Sequence, residues 1–96
     1  MDILFHVATA DAARVLMPLA RACARARRRY ACFFTNDGVL GLQRGELLVA
    51  LGDAARLVAC EESWQRYCEG VACPVELGSQ TVSSALMGEG ARVVSL

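Results

Sequence analysis

Cys60 is the residue of this chain best placed by sequence to do chemistry. It ends the apolar run Arg56-Leu57-Val58-Ala59-Cys60 and directly precedes Glu61-Glu62-Ser63, which opens a helical pattern. A thiol at that junction faces the unpaired N–H groups of a helix's first turn, which favour the thiolate over the thiol. Glu61 and Glu62 act the other way, because adjacent negative charge raises a thiol's pKa. The chemistry open to such a residue is nucleophilic attack on a disulfide or a sulfane sulfur. The alternative for a strand-end cysteine is plain packing.

The other candidates are weighed against this one. Cys23 and Cys32 fall on an apolar helix face and inside a strand, so they read as core. Cys68 and Cys73 flank Glu69-Gly70-Val71-Ala72. Either could resolve an oxidised Cys60, but Cys68 lies roughly 12 Å further along a helix axis, which favours packing. No C-x-x-C occurs, and an odd number of thiols cannot all pair within one chain. His6, the only histidine, sits within the first strand and reads as a hydrogen-bonded core residue rather than a base. Asn36-Asp37-Gly38 is a strong turn signal that could present N–H groups to an anion, or simply turn the chain. Ser63 and Trp64 are placed beside Cys60, and Trp64 and Tyr67, about one and two helical turns beyond it, either cover the thiol, sit in a subunit contact or pack in the core. Arg25-Ala26-Arg27-Arg28-Arg29 is the only charge run, either a solvated helix end or an RNA- or partner-binding patch.

The elements that must position these residues follow from alternation of pattern. Asp2 to Ala8 reads as a buried strand. Thr9 and Asp11 are capping candidates for a helix from Ala12 to Arg28. Its apolar face carries Leu16, Leu19, Cys23 and Ala26, its wet face Arg14, Arg21, Arg25 and Arg28. Pro18, among the arginines, bends that helix or marks its true start. Tyr30 to Thr35 is the second strand, Glu46 to Ala55 a helix interrupted or ended near Gly52, Arg56 to Cys60 the third strand, and Glu61 to Cys68 a helix. Ser79 caps a last helix through Met87, ended by Gly88 or Gly90, and Ala91 to Leu96 is the final strand. Strands separated by helices imply parallel pairing through right-handed crossovers. The expected fold is therefore α/β, a small open parallel sheet of four to five strands with helices on both faces, of flavodoxin-like topology. Ligands of such sheets collect beyond the carboxyl ends of the strands. Here those ends are Thr9 to Asp11, Asn36 to Gly38, and Cys60 to Ser63.

Composition narrows the function classes. Ninety-six residues form a single domain, 1–96, and 55% of them are hydrophobic, above the usual share of about 45–50%. That excess suits a subunit interface. Ten basic and ten acidic residues balance, which argues against a direct nucleic-acid binder. Every basic residue is arginine, so Schiff-base and P-loop lysine chemistry are excluded. One histidine excludes a three-histidine metal site within the chain. Gly38, Gly41 and Gly45 lack the G-x-G-x-x-G spacing of a dinucleotide site. No apolar run is long enough to span a membrane, and the opening residues lack a basic leader, so a cytoplasmic protein is expected.

Three strings in this order resemble the DsrE/DsrF/DsrH-like family, which includes the TusB, TusC and TusD subunits. Phe33-Phe34-Thr35-Asn36-Asp37-Gly38-Val39 is similar to the family's aromatic second strand and its Asp-Gly-Val turn. Leu57-Val58-Ala59-Cys60 is similar to the third strand, which ends in the reactive cysteine of DsrE- and TusD-type members. Glu69-Gly70-Val71 and the closing Ala91 to Leu96 resemble the segment before the last helix and the terminal strand. The resemblance implies a sulfur relay, in which Cys60 carries sulfane sulfur as a persulfide and passes it to a partner protein, with Asp37 and Gly38 forming the turn beside it. It implies sulfur donor and acceptor proteins as partners, a homotrimer or a hetero-hexamer of related subunits, and no metal or organic cofactor. The alternative within the same family is a non-catalytic structural or binding subunit.

Overall fold

A computed structural model describes residues 1–88 and 92–96, residues 80, 83 and 87 by backbone alone. Five strands form one open, all-parallel sheet: β1 Ile3–Val7, β2 Tyr30–Phe34, β3 Arg56–Cys60, β4 Glu76–Gly78 and β5 Arg92–Ser95. Their spatial order is β4-β3-β2-β1-β5. The helices are α1 Ala13–Arg25, α2 Gly45–Ala50, α3 Glu61–Tyr67 and α4 Gln80–Met87. Two 3-10 segments, Ala10–Ala12 and Asn36–Gln43, follow β1 and β2. The small doubly wound α/β architecture expected from the alternation is therefore present.

The order explains which helix covers which face. From β1 to β4 the chain steps one strand at a time in one direction, so right-handed crossovers put α1, α2 and α3 on one face. From β4 it returns across the whole sheet to β5, and the same handedness puts α4 on the other. Alternation along the strands divides the core accordingly. Phe5, Val7, Tyr30, Cys32, Phe34 and Ala59 pack with Leu16 and Cys23 of α1, Leu47 of α2 and Trp64 of α3. Leu4, Ala31, Phe33, Val58 and Cys60 pack on the opposite face under Leu86 and Val82 of α4.

Several boundaries differ from the expectation for identifiable reasons. Residues 10–12 open as a 3-10 turn before α1 begins. Pro18 lies within α1 on its exposed side and supplies no N–H to the carbonyl of Arg14. Helix α1 stops at Arg25 because Arg27 turns left-handed, with φ 56°. There the N–H groups of Arg27 and Arg28 close back on the carbonyls of Ala24 (3.2 Å) and Cys23 (2.9 Å). Ala26, expected on the apolar face, is exposed as a result. The stretch after Asn36 winds as 3-10 helix, and α2 ends at Ala50, close to the stop expected near Gly52.

Strand β4 went unread because Glu76-Leu77-Gly78 has no alternation to reveal it. Arg56 holds it in place, donating from Nε and Nη2 to Glu76 at 3.0 and 2.5 Å. Ser79 caps α4 as expected, accepting from the Thr81 N–H at 3.2 Å, and Gly88 follows the helix. Gly90 and Ala91, the alternative helix stop and the expected start of the last strand, lie outside the described residues.

One core group is out of balance. The Tyr30 hydroxyl is buried and has no hydrogen-bond partner among the described residues. Its ring is held edge-on to Phe5, at 5.8 Å between centroids. A desolvated hydroxyl without a partner costs more than it returns. Tyr30→Phe is therefore expected to raise stability by about 1 kcal/mol, read as a higher urea midpoint at unchanged slope. A lower midpoint would show that the hydroxyl is satisfied in solution.

Candidate functional site at the end of the third strand

Helix α3 follows β3 on one face of the sheet, while α4 follows the neighbouring strand β4 on the other. The two chain connections therefore diverge at the carboxyl ends of β3 and β4. In open α/β sheets such a divergence opens the crevice that takes ligands. Cys60 ends β3 and Gly78 ends β4, and the two are directly paired in the register. A cleft of about 530 Å³ opens there, lined by Cys60, Glu61, Glu62, Gln65, Ser79 and Thr81 together with Gly78.

Gly78 matters to the shape of this cleft. A Cβ at that position would fall 2.8 Å from a Val58 methyl and 3.2 Å from one of Val82. With glycine there, α4 lies close over β3 and β4 beside the thiol. Gly38 is required for a different reason, because a Cβ there would lie 2.3 Å from the carbonyl oxygen of Val7. The turn 36–38 is thereby pressed against the end of β1, and this brings Thr35 and Asn36 level with the end of β3.

The chemistry at Cys60 is set by hydrogen bonds rather than by charged neighbours. Burial pushes its pKa up, but the polar groups around the sulfur outweigh it: the Ser63 hydroxyl and N–H, the Thr35 hydroxyl and the Glu62 N–H. The net result is a thiol more acidic than ordinary. Ser63 is itself held in place. Its Oγ accepts from the Asn36 N–H at 2.8 Å and lies 3.4 Å from Thr35 Oγ1. With a lone pair committed to Asn36, the Ser63 O–H is free to point at sulfur. The N–H groups of Glu62 and Ser63 at the start of α3 also favour the thiolate, although Cys60 makes no capping hydrogen bond of its own.

Four thiols depart from ordinary acidity, and only Cys60 departs downward. Burial raises Cys23, Cys32 and Cys68. Cys23 and Cys32 are core residues, as their positions implied. Cys68 is buried and Cys73 half-buried against the α1-side core, on the other face of the sheet from Cys60. His6 stacks on Phe33 at 5.9 Å between ring centroids, two strands away from Cys60.

Of the residues placed at the site by sequence, Ser63 touches the thiol and Asn36 supports it through its backbone. Asp37 and Gly38 belong to the supporting turn and do not line the cleft. Trp64 is a correction. It packs into the α1-side core and donates from Nε1 to the carbonyl of Val71 at 2.7 Å. There it lines a separate groove of about 780 Å³ with Cys68 and Val71. The physical reason is that Cys60 caps α3 in an extended conformation (φ −62°, ψ 122°), so helical spacing does not carry its direction to Trp64. Thr35 is the functional residue that sequence reasoning missed. Its signal was a hydroxyl closing the apolar strand Tyr30 to Phe34 at the carboxyl edge.

Among the described residues, no three His, Cys, Asp or Glu side chains gather as metal ligands. No helix among them is long and apolar enough to cross a membrane. Compared with protein-family models and with curated proteins, the chain matches none.

Proposed function

We propose that the chain is a sulfur-relay protein that carries sulfane sulfur as a persulfide on Cys60 and hands it to a partner protein. The observation that carries this reading is the place of Cys60, at the crevice between β3 and β4 beside the Ser63 and Thr35 hydroxyls and the start of α3, which make its thiol more acidic. In the loading step the Cys60 thiolate attacks the outer sulfur of a donor persulfide. A new S–S bond forms at Cys60, the donor's S–S bond breaks, and the donor leaves as a thiolate. In unloading, an acceptor thiolate attacks the outer sulfur, and Cys60 departs as the thiolate it began as. Both steps are two-electron exchanges whose rate depends on thiolate fraction and on access. The donors from Ser63, Thr35 and Glu62 stabilise negative charge on Cys60 at both ends of the cycle. Neither step calls for a metal or an organic cofactor. The cytoplasm, where thiols stay reduced, suits this chemistry. A homotrimer or hetero-hexamer of related subunits would cover the apolar side chains left at the surface.

Incubation with polysulfide followed by intact-mass measurement tests the reading. The wild-type chain is expected to gain about 32 Da per sulfur, and Cys60→Ser to gain none. Equal uptake by Cys60→Ser would move the carrier role elsewhere.

One observation favours a second reading, a non-carrying subunit: only 7% of Cys60 is exposed. Alkylation of the folded chain separates the two. A carrier's Cys60 reacts under native conditions, whereas a packing residue reacts only on unfolding.

A further inference from the structure

A balanced net charge conceals a polarised chain. Residues 1–45 contain seven arginines and three acids, while residues 46–96 contain three arginines and seven acids. The fold gathers much of the positive part at the amino edge of the sheet, opposite the Cys60 crevice. Arg27, Arg28 and Arg29 lie between the end of α1 and the start of β2. They line a hollow of about 510 Å³ together with Asp53. Arg28 also joins Arg92 and Asp2 around an adjoining hollow of about 390 Å³. Among the described residues none of these four arginines makes an ion pair, the only such pair being Arg56 with Glu76.

The backbone there is fixed. The Asp2 carboxylate accepts from the Arg29 N–H at 2.9 Å, and Asp2 N–H donates to the Arg29 carbonyl at 3.0 Å. Arg27 adopts φ 56° at the position after a helix where glycine is least costly. A side chain that strains the backbone at a surface turn points to use of that side chain. Three consecutive guanidiniums on a fixed turn offer forked donors suited to phosphate oxygens. Asp53, the one carboxylate lining this hollow, suits a hydroxyl donor, and with Asp2 beside Arg28 and Arg29 it disfavours a purely anionic chain. No aromatic side chain lines the hollow to stack a base.

We propose that this hollow is a second site, binding the phosphate groups of a small phosphorylated ligand that also carries hydroxyls. Arg27, Arg28 and Arg29 hold the phosphates, and Asp53 accepts from a hydroxyl. The assignment is independent of the sulfur chemistry at the opposite edge.

Calorimetric titration of the full chain with inorganic pyrophosphate tests it, at constant ionic strength. Arg27→Gly should weaken binding about tenfold, the loss of one charge-assisted contact. The same variant should unfold at higher urea, because the left-handed turn no longer carries a side chain. Lost affinity therefore cannot be lost folding. Arg28→Gln with Arg29→Gln should weaken it further. Asp53→Asn should tighten pyrophosphate binding, since it removes a negative charge beside the anion. Unchanged affinity in the arginine variants overturns the site. So does an oligonucleotide that binds where pyrophosphate does not, which would make the edge a backbone-binding patch.

Discussion

Ser63→Ala is expected to slow alkylation of Cys60 about tenfold near neutral pH, because loss of the hydroxyl raises the thiol pKa and removes a hydrogen-bond donor to the thiolate. The direction follows from the balance at the sulfur. Burial raises the pKa and the polar groups around the sulfur lower it, with the Ser63 hydroxyl first among them. Alanine keeps the N–H of residue 63 and removes only the O–H. It also leaves the Asn36 N–H without the acceptor it has at 2.8 Å. The pH profile of iodoacetamide reaction distinguishes a changed thiol from changed access. A weaker donor set moves the midpoint upward and leaves the plateau at high thiolate fraction nearly unchanged. Blocked access lowers the plateau and leaves the midpoint in place. Ser63→Thr, which keeps a hydroxyl, should retain the wild-type midpoint. Thr35→Val should shift it in the same direction as alanine, since it removes a second donor. An unmoved midpoint in both Ser63→Ala and Thr35→Val would remove the physical basis for a carrier thiolate.

How far sequence reached can be traced in the same residues. The run Arg56 to Cys60 was legible as a strand because it is short, apolar and followed at once by acids that suit a helix start. That placed Cys60 at the carboxyl edge, and the edge is where it lies. The donor set was only half legible. The N–H groups of Glu62 and Ser63 follow from the helix start, whereas Thr35 comes from another strand, and its approach depends on the turn 36–38 seating Gly38 on Val7. No local pattern encodes a contact made across 28 residues. Strand β4 was hidden for a related reason. Its three residues are held by pairing with β3 and by the Arg56–Glu76 bridge, both tertiary effects. Without β4 the divergence of α3 and α4 cannot be located, and so neither can the cleft. Trp64 went astray because helical spacing was extended to a residue that caps the helix without belonging to it.

The remaining thiols give the chain an alkaline limit that confines where Cys60 can be studied. Cys23, Cys32 and Cys68 have folded pKa values raised above an ordinary 9.0, and Tyr30 is raised from 10.0 to about 12, in each case chiefly by burial. For a group raised on folding, the native state retains its proton while the unfolded chain loses it. Stability from these groups is therefore complete below about pH 9 and declines as pH climbs from there toward the folded values. Cys60 has the opposite sign. Its lowered pKa makes the unfolded chain hold the extra proton, so its contribution grows as pH rises through the folded value toward 9.0. One group of that sign opposes four of the other, and the four prevail above pH 9. The urea-derived stability near pH 11 is expected to fall at least about 3 kcal/mol below its value near pH 8. Cys32 is fully buried, so Cys32→Ala should recover about 2 kcal/mol of that difference. Comparing each variant with itself at the two pH values cancels the packing cost of the substitution. Stability that stays level to pH 11 would mean that the buried thiols and Tyr30 reach water without unfolding. The predicted decline instead makes a native thiolate at Cys60 something to measure below pH 9, where the raised groups remain protonated and the fold is at full strength.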